Sequence, residues 1–361
     1  MKVHHLIVMQ IFDSHRNSTV EVDLYTKLFC TSVLSGASTD ICEAVELRVM
    51  KAVANVNDTI ALELIKFSLT VTVQKEIDDF LVKLDSTPNK GKLSANTILS
   101  VSIAIMMVGA AEKGVPLYQH LTDLTGVKPP FILLCPAFNV INGSSHVGNK
   151  LAFQEFMLLP TGMHSFTGVI KLGTERYHML KKVISTKYGI DGGTVNISDE
   201  GGFTSNVSGA EESLELLAEV IKKAGYEGKI KIVLDVASSE FYKENANSDP
   251  TKWIPSIKLA DLYMSYAWIH FMKNSSIQIV GDDLTTALEK KAYNGLLLKV
   301  NQIGTISGSI KVAQLMQSDG WGVMVLHRSG EMENMFIADL VVALSVGQIK
   351  SGAPAHSERV V

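Results

Sequence analysis

The sequence predicts an α/β protein in two parts: a small α+β domain over residues 1–128, then a barrel of repeated βα units over residues 129–361. Three observations carry that expectation. Near the N-terminus, Val20-Glu21-Val22-Asp23-Leu24-Tyr25 largely alternates apolar with acidic residues, the period of a half-buried strand. The apolar run at 28–33 lies close enough to pair with it as a hairpin. Beyond Pro129-Pro130, short apolar strands alternate with amphipathic helices, which implies a parallel sheet with a barrel as its natural closure.

Each later element has a local reason. Helices are expected over 74–84 and 95–112, the second closed by Gly114 and Pro116. Ser208-Gly209-Ala210-Glu211 opens a further helix as a capping box, with Leu214, Leu217 and Ile221 on one face. Lys222 and Lys223 suit its C-terminal dipole, and Gly225 can take the left-handed cap. Four strands follow, at 229–234, 277–280, 295–298 and 322–326.

Composition excludes several classes. The 361 residues are 46% hydrophobic and 19% charged, too apolar for a disordered chain. A net charge of −4 argues against a nucleic-acid partner, since that affinity comes mainly from Lys and Arg on phosphates. The longest near-continuous apolar run, 99–111, contains Ser100 and Ser102 and is short for ~30 Å of hydrocarbon, so no membrane span is expected. Met1-Lys2-Val3-His4-His5 does not open a signal peptide, and Cys30, Cys42 and Cys135 form neither a disulfide framework nor a metal-spaced pair. A reduced, cytoplasmic globular protein is the expectation.

What stands at the strand ends carries the chemistry. The four strands end in Asp235, Asp282-Asp283, Lys299 and His327-Arg328. At the C-terminal face of a (β/α) barrel such residues converge on the active site. Oxygen ligands beside cationic groups suit a hard divalent cation such as Mg²⁺ and an anionic, phosphorylated small-molecule substrate. A single polar residue after a strand is usually a solvated turn; four in succession with complementary chemistry are harder to dismiss. There is no Walker loop, dinucleotide glycine fingerprint, His-Glu-x-x-His or nucleophile elbow to suggest another reaction.

Several longer blocks are more specific. They include Leu34-Ser35-Gly36-Ala37-Ser38-Thr39, Ala137-Phe138-Asn139-Val140-Ile141-Asn142-Gly143 and Asp199-Glu200-Gly201-Gly202-Phe203. Others are Leu298-Lys299-Val300-Asn301-Gln302-Ile303-Gly304, His327-Arg328-Ser329-Gly330-Glu331 and Gly347-Gln348-Ile349-Lys350. With residues 148–156, this ordered set closely resembles enolase (phosphopyruvate hydratase) along essentially the whole chain. The resemblance implies an enolase-like α+β domain, a TIM-type barrel, a homodimer, and Mg²⁺-dependent interconversion of 2-phosphoglycerate and phosphoenolpyruvate in glycolysis.

By that resemblance, Lys299 matches the base that takes the C2 proton and Glu200 the acid that helps the C3 hydroxide leave. Asp235 and Asp282 match carboxylate ligands of the first metal, and Ser38 matches the loop residue at a second. His327, Arg328 and Ser329 match substrate-binding positions, the last two as the phosphate grip. Lys350 matches the cation near the substrate carboxylate, and His146 and the Gln154-Glu155 pair match mobile-loop and supporting positions. Taken singly, His146 reads as a surface histidine, Glu200 as a turn acid and Lys350 as an exposed lysine.

The chain also departs from the pattern. A Ser-Ile-Glu-Asp-Pro block that carries a third metal carboxylate is missing, and residues 263–276, which stand in its place, contain no acidic residue. A barrel lacking one strand is therefore expected, with weaker Mg²⁺ binding. Asp40, Ser144 and Ser198 replace glycines, Leu326 replaces a serine, and the family's C-terminal helical region is not matched. The alternative reading is a catalytically impaired or inactive homologue that binds a ligand or protein, or a degenerate product without a stable native state.

Overall fold

Alternation of apolar and polar residues builds the first sheet in this computed structural model, which describes residues 2–12, 18–25, 28–32, 49–143, 151, 153–189, 196–198, 200–204, 207, 209–237, 258, 278–281, 294–327 and 334–355. The chain forms two compact units, the first comprising Met1–Pro136 and Ile279–Ser351, the second Ala137–Gln278 and Gly352–Ala355.

In the first unit, β1 (His5–Phe12), β2 (Ser18–Tyr25) and β3 (Leu28–Ser32) form an antiparallel sheet in that order. Val20, Val22 and Leu24 of β2 are fully buried while Glu21 and Asp23 are not, as the period-2 pattern requires. The hairpin expected at 20–33 is present, with Tyr25 opposite Leu28. Strand β1 was not legible beforehand, because only Leu6 and Val8 of its eight residues are buried.

The helical layer begins with α1 (Val49–Asn55), a π-helical turn at Val56–Ile60, and α2 (Ala61–Phe67). Asn57 in that turn bonds the Val8 backbone twice, accepting from its amide at 2.9 Å and donating to its carbonyl at 3.1 Å. Next come α3 (Gln74–Asp85), α4 (Ala95–Lys113) and α5 (Leu117–Thr125), the first two at the expected places. Helix α4 is longer than its apolar run and is apolar enough to cross a membrane, but 78% of its most apolar 18-residue stretch is buried within the protein, as befits a core helix. Gly114 ends it in the left-handed conformation, φ 69°, as its sequence predicts.

Farther along the chain this unit adds four parallel-strand elements. These are β7 (Val280–Gly281), β8 (Gly295–Leu298), β9 (Gly322–Leu326) and β10 (Gln348–Lys350), with β7–β8, β8–β9 and β9–β10 paired in parallel. Helices α8 (Val300–Ile303) and α9 (Ile306–Ser318) return the chain from β8 to β9, and α10 (Phe336–Leu344) returns it from β9 to β10. This is the expected βα repeat. Leu296, Leu298, Val323 and Val325 share one core with Leu81, Leu99 and Ile103.

The second unit corrects the expectation of a wholly parallel sheet. Strands β4 (Cys135–Asn142), β5 (Glu155–Leu159) and β6 (Lys231–Asp235) pair antiparallel. The reason lies in the connections. Between β5 and β6 run two helices, α6 (Phe166–Tyr188) and α7 (Ala210–Lys223), so the chain reverses an extra time and β6 points against β5. On α7, Leu214, Leu217 and Ile221 are buried and Gly225 has φ 69°, both as expected. Gly209 occupies its N-cap position, while Ser208, expected to cap it, lies outside the described residues. The segment 263–276 and the missing-strand expectation attached to it also lie outside them.

Candidate active site

Six of the sequence-predicted site residues are described: Glu155, Glu200, Asp235, Lys299, His327 and Lys350. Ser38, His146, Asp282, Arg328 and Ser329 lie outside the described residues. The acidic members fall in the second compact unit and the basic members in the first.

In the second unit, register sets the acidic group. Asn142 pairs with Glu155 across β4 and β5, and Glu155 pairs with Asp235 across β5 and β6. Directly opposed residues of antiparallel strands project to the same face, so two carboxylates stand side by side at one end of the sheet. Glu155 is 2% exposed. One Asp235 oxygen, Oδ1, accepts from the Ala237 amide at 3.0 Å.

Glu200 stands on a turn tied down from several directions. Its carbonyl accepts from the Ala353 amide at 2.9 Å, and the Gly201 carbonyl accepts from the Tyr177 hydroxyl at 2.6 Å. The Tyr177 ring stacks on Phe203 at 4.5 Å. Burial pushes the Tyr177 hydroxyl up to about 12, so it stays a neutral donor. The Glu200 side chain is held at Oε2 by the Asn139 amide, Nδ2 donating at 3.0 Å.

Sequence reasoning quoted Asn139 and Asn142 only as part of a matching block and missed what they do. Three positions apart, they would face opposite sides of a regular strand. The β4–β5 register shifts between Asn139 and Ile141, and this irregularity changes the parity. Both side-chain oxygens consequently border Gly202, where an added Cβ would meet Asn139 Oδ1 at 3.0 Å and collide with Asn142 Oδ1. Ser198, one of the glycine replacements, donates to Asn142 Oδ1 at 2.7 Å. The substitution thus adds a hydrogen bond to this turn.

The basic group follows from the parallel strands of the first unit. Lys299 is the residue after β8, His327 the residue after β9, and Lys350 the last of β10. Strands β8, β9 and β10 are neighbours, so the three side chains belong to adjacent C-terminal strand ends. The His327 amide donates to the Lys350 carbonyl at 3.0 Å. His327 and Lys350 are 2% and 4% exposed, so Lys350 is not the exposed lysine that its sequence taken singly suggests. Lys299 begins α8, its carbonyl accepting from the Gln302 amide at 3.1 Å.

Among the described residues no three His, Cys, Asp or Glu side chains are grouped to hold a metal. The carboxylate oxygens of Asp235 and Glu155 nevertheless suit a hard divalent cation in kind, since both are anionic oxygen donors. Arranged this way, the first unit presents groups that attract anions and can exchange protons, and the second presents carboxylates, one with a fixed hydrogen-bond donor.

Compared with protein-family models, residues 3–121 match the N-terminal domain of enolase. Residues 130–267 and 265–361 match the C-terminal TIM barrel domain of enolase, in two stretches that meet within the segment where the acidic block is missing.

Proposed function

The chain belongs to the enolase family, and on that premise we propose that it is a phosphopyruvate hydratase, a Mg²⁺-dependent lyase that removes water from 2-phosphoglycerate to give phosphoenolpyruvate. The observation that carries the reading is the alignment of Lys299, His327 and Lys350 at three neighbouring C-terminal strand ends, the face where barrel enzymes keep their chemistry. The family match gives the lyase class; these residues support the finer reading.

Lys299 takes the C2 proton of the substrate. Glu200 delivers a proton to the departing C3 hydroxyl, so that the C3–O bond breaks, water leaves and a C2–C3 double bond remains. A Lys base is the established pattern of enolase-superfamily sites. Arg328 and Ser329 grip the phosphate with His327 beside them, Lys350 faces the substrate carboxylate, and His146 and Glu155 support the loops that shut out water. Mg²⁺, when bound, supplies charge neutralisation for the substrate carboxylate as a Lewis acid, held by Asp235 and Asp282 with Ser38 at a second ion. The proposed domain boundary is 128/129, the proposed assembly a homodimer, and the proposed compartment the cytoplasm.

Purified protein is tested for phosphoenolpyruvate formation across a Mg²⁺ titration, beside a Lys299→Ala sample prepared identically to control for host enzyme. Turnover above that control supports the lyase; equal background rates in both samples remove it. A second reading, a non-catalytic homologue that keeps the ligand site, is favoured by the absence of any acidic residue at 263–276 and by the break in the barrel match there. Its mark is a melting temperature raised by substrate with no turnover.

A further inference from the structure

We infer that Asn139 is a positioning residue for the elimination step, holding one oxygen of Glu200 so that the other carries and delivers the proton. The inference rests on the lyase reading above. Asn139 lies on β4, and its residue is completely buried. Its Nδ2 donates to Glu200 Oε2 at 3.0 Å, while its own Oδ1 has no hydrogen-bond partner among the described residues. A buried amide that leaves half its capacity unused is a poor structural choice, because an apolar side chain of similar size carries no such cost. The arrangement also requires glycine at 202, whose Cβ would press on Asn139 Oδ1.

The bond has a direct consequence for proton transfer. An N–H donor on Oε2 leaves Oε1 as the oxygen that bears the proton of the neutral acid. When the C3–O bond breaks, the Oε1–H bond breaks with it, the proton goes to the departing hydroxyl to make water, and its electron pair stays on the Glu200 carboxylate. The Asn139 N–H then faces a full negative charge, and a hydrogen bond to a charged acceptor is roughly twice as strong as a neutral one. Asn139 thus favours the state in which Glu200 has given up its proton. The carbonyls of Glu200 and Gly201 are held by Ala353 and Tyr177, so the backbone after the carboxyl is tied down while Asn139 holds one of its oxygens.

The test separates two half-reactions on wild type, Asn139→Ala and the near-isosteric Asn139→Asp. Exchange of the substrate C2 hydrogen with deuterium oxide, followed by NMR, reads Lys299; phosphoenolpyruvate formation reads Glu200 as well. In Asn139→Ala, elimination falls about 10- to 100-fold, the loss expected for a misplaced reacting group, while exchange stays at the wild-type rate. In Asn139→Asp, elimination recovers as pH falls and the new acid becomes a donor, and is lost as pH rises, a profile that a packing defect would not give. Exchange and elimination falling together in both variants, or neither falling, overturns the inference. Wild type without exchange or elimination overturns the lyase reading instead. The inference is then decided by ¹³C titration of the Glu200 carboxyl, assigned with Glu200→Gln: Asn139→Ala moves it to higher pH, and an unmoved titration overturns the positioning role.

Discussion

Removing the carboxylate of Asp78 should destabilise the first unit by about 2–4 kcal/mol, the sum of one or two orphaned buried donors and a lost helix cap. Asp78 is 2% exposed on α3 and accepts three hydrogen bonds: from the Ser307 amide at 2.9 Å, the Ser102 hydroxyl at 2.6 Å and Gln74 Nε2 at 3.0 Å. Ser102 Oγ in turn accepts from the Ile306 amide at 3.1 Å. Ile306 and Ser307 open α9, so a carboxylate from α3 and a hydroxyl from α4 satisfy amides that a helix cannot bond itself. In Asp78→Ala, Gln74 keeps Ser102 as a partner, but the Ser307 amide and the Ser102 hydroxyl lose theirs. Urea unfolding followed by circular dichroism reads the loss. Asp78→Asn adds a pH test. Burial pushes the Asp78 carboxyl above its ordinary value, against the hydrogen bonds from Ser102, Ser307 and Gln74. A raised folded value means that the native state holds the proton more tightly than the unfolded chain. The contribution of Asp78 is therefore full below the ordinary carboxylate range and is lost as pH rises through the folded value. Wild type must lose stability relative to Asp78→Asn as pH rises from about 4, the ordinary aspartate value. A gap that stays constant from acid to neutral pH, or an Asp78→Ala protein as stable as wild type, refutes the reasoning.

Other substitutions report on packing, titration and the acidic pair. Gly173→Ala on α6 sets a methyl 2.6 Å from Phe138 Cζ and should cost about 1–3 kcal/mol in a melt, whereas Gly209→Ala meets open space and should cost less, about 1 kcal/mol at most, from the poorer N-cap. Gly202→Ala should destabilise comparably by crowding Asn139 and Asn142, and a wild-type melt would show the turn to be looser than described. Burial and the Lys113 charge hold His120 below its ordinary value despite Asp123, so its contribution is present above about pH 6.5 and lost as pH falls through the folded value. Wild type should therefore fall relative to His120→Gln on acidification, and a pH-independent gap would contradict this. Asp235→Asn relieves the opposed carboxylates, raising metal-free stability by about 0.2–1 kcal/mol while abolishing stabilisation by Mg²⁺. A retained Mg²⁺ response in the melt would remove Asp235 as a ligand.

Local pattern made some elements readable and concealed others. The β2–β3 hairpin, α3, α4 and α7 follow from apolar periodicity and caps, all effects carried within a few residues. Strand direction in the second unit did not, because it depends on how many helices intervene between β5 and β6. Strand β10 is three residues long, too short for any period, and was visible only as part of a matching block. The buried face of α3 mixes Ile77 and Leu81 with Gln74, Asp78 and Asp85, so its polar members looked like a solvated side. Partners of Gln74 and Asp78, in α4 and at the start of α9, lie 28 and 229 residues away. At the site, the strand-end residues Asp235, Lys299 and His327 were legible from position alone. Glu200 and Lys350 needed the family resemblance, and the Asn139 support needed the strand irregularity, which leaves no mark in composition or spacing.

Among the described residues, two kinds of buried ionisable group are distinguished by their company. Asp78 and Asp85 are surrounded by donors. The Asp85 carboxyl, although burial opposes it, is held below its ordinary value by bonds from Thr87 and Leu93. Each of these aspartates stabilises the chain around it, and each would be expected in a protein with no activity at all. Glu155 is buried yet sits opposite Asp235, a like-charge pairing that works against the sheet. Lys350 is buried at a strand end whose neighbours present His327 and Lys299. A like-charge neighbour across a strand pair does not by itself favour folding, which sets these groups apart from the donor-surrounded aspartates of α3. On the proposed reading, an anionic substrate would meet the lysines and a divalent cation would meet Asp235. On that reading the missing acidic block bears on how tightly the cation would be held, while the bases at the ends of β8, β9 and β10 would keep their role toward the substrate.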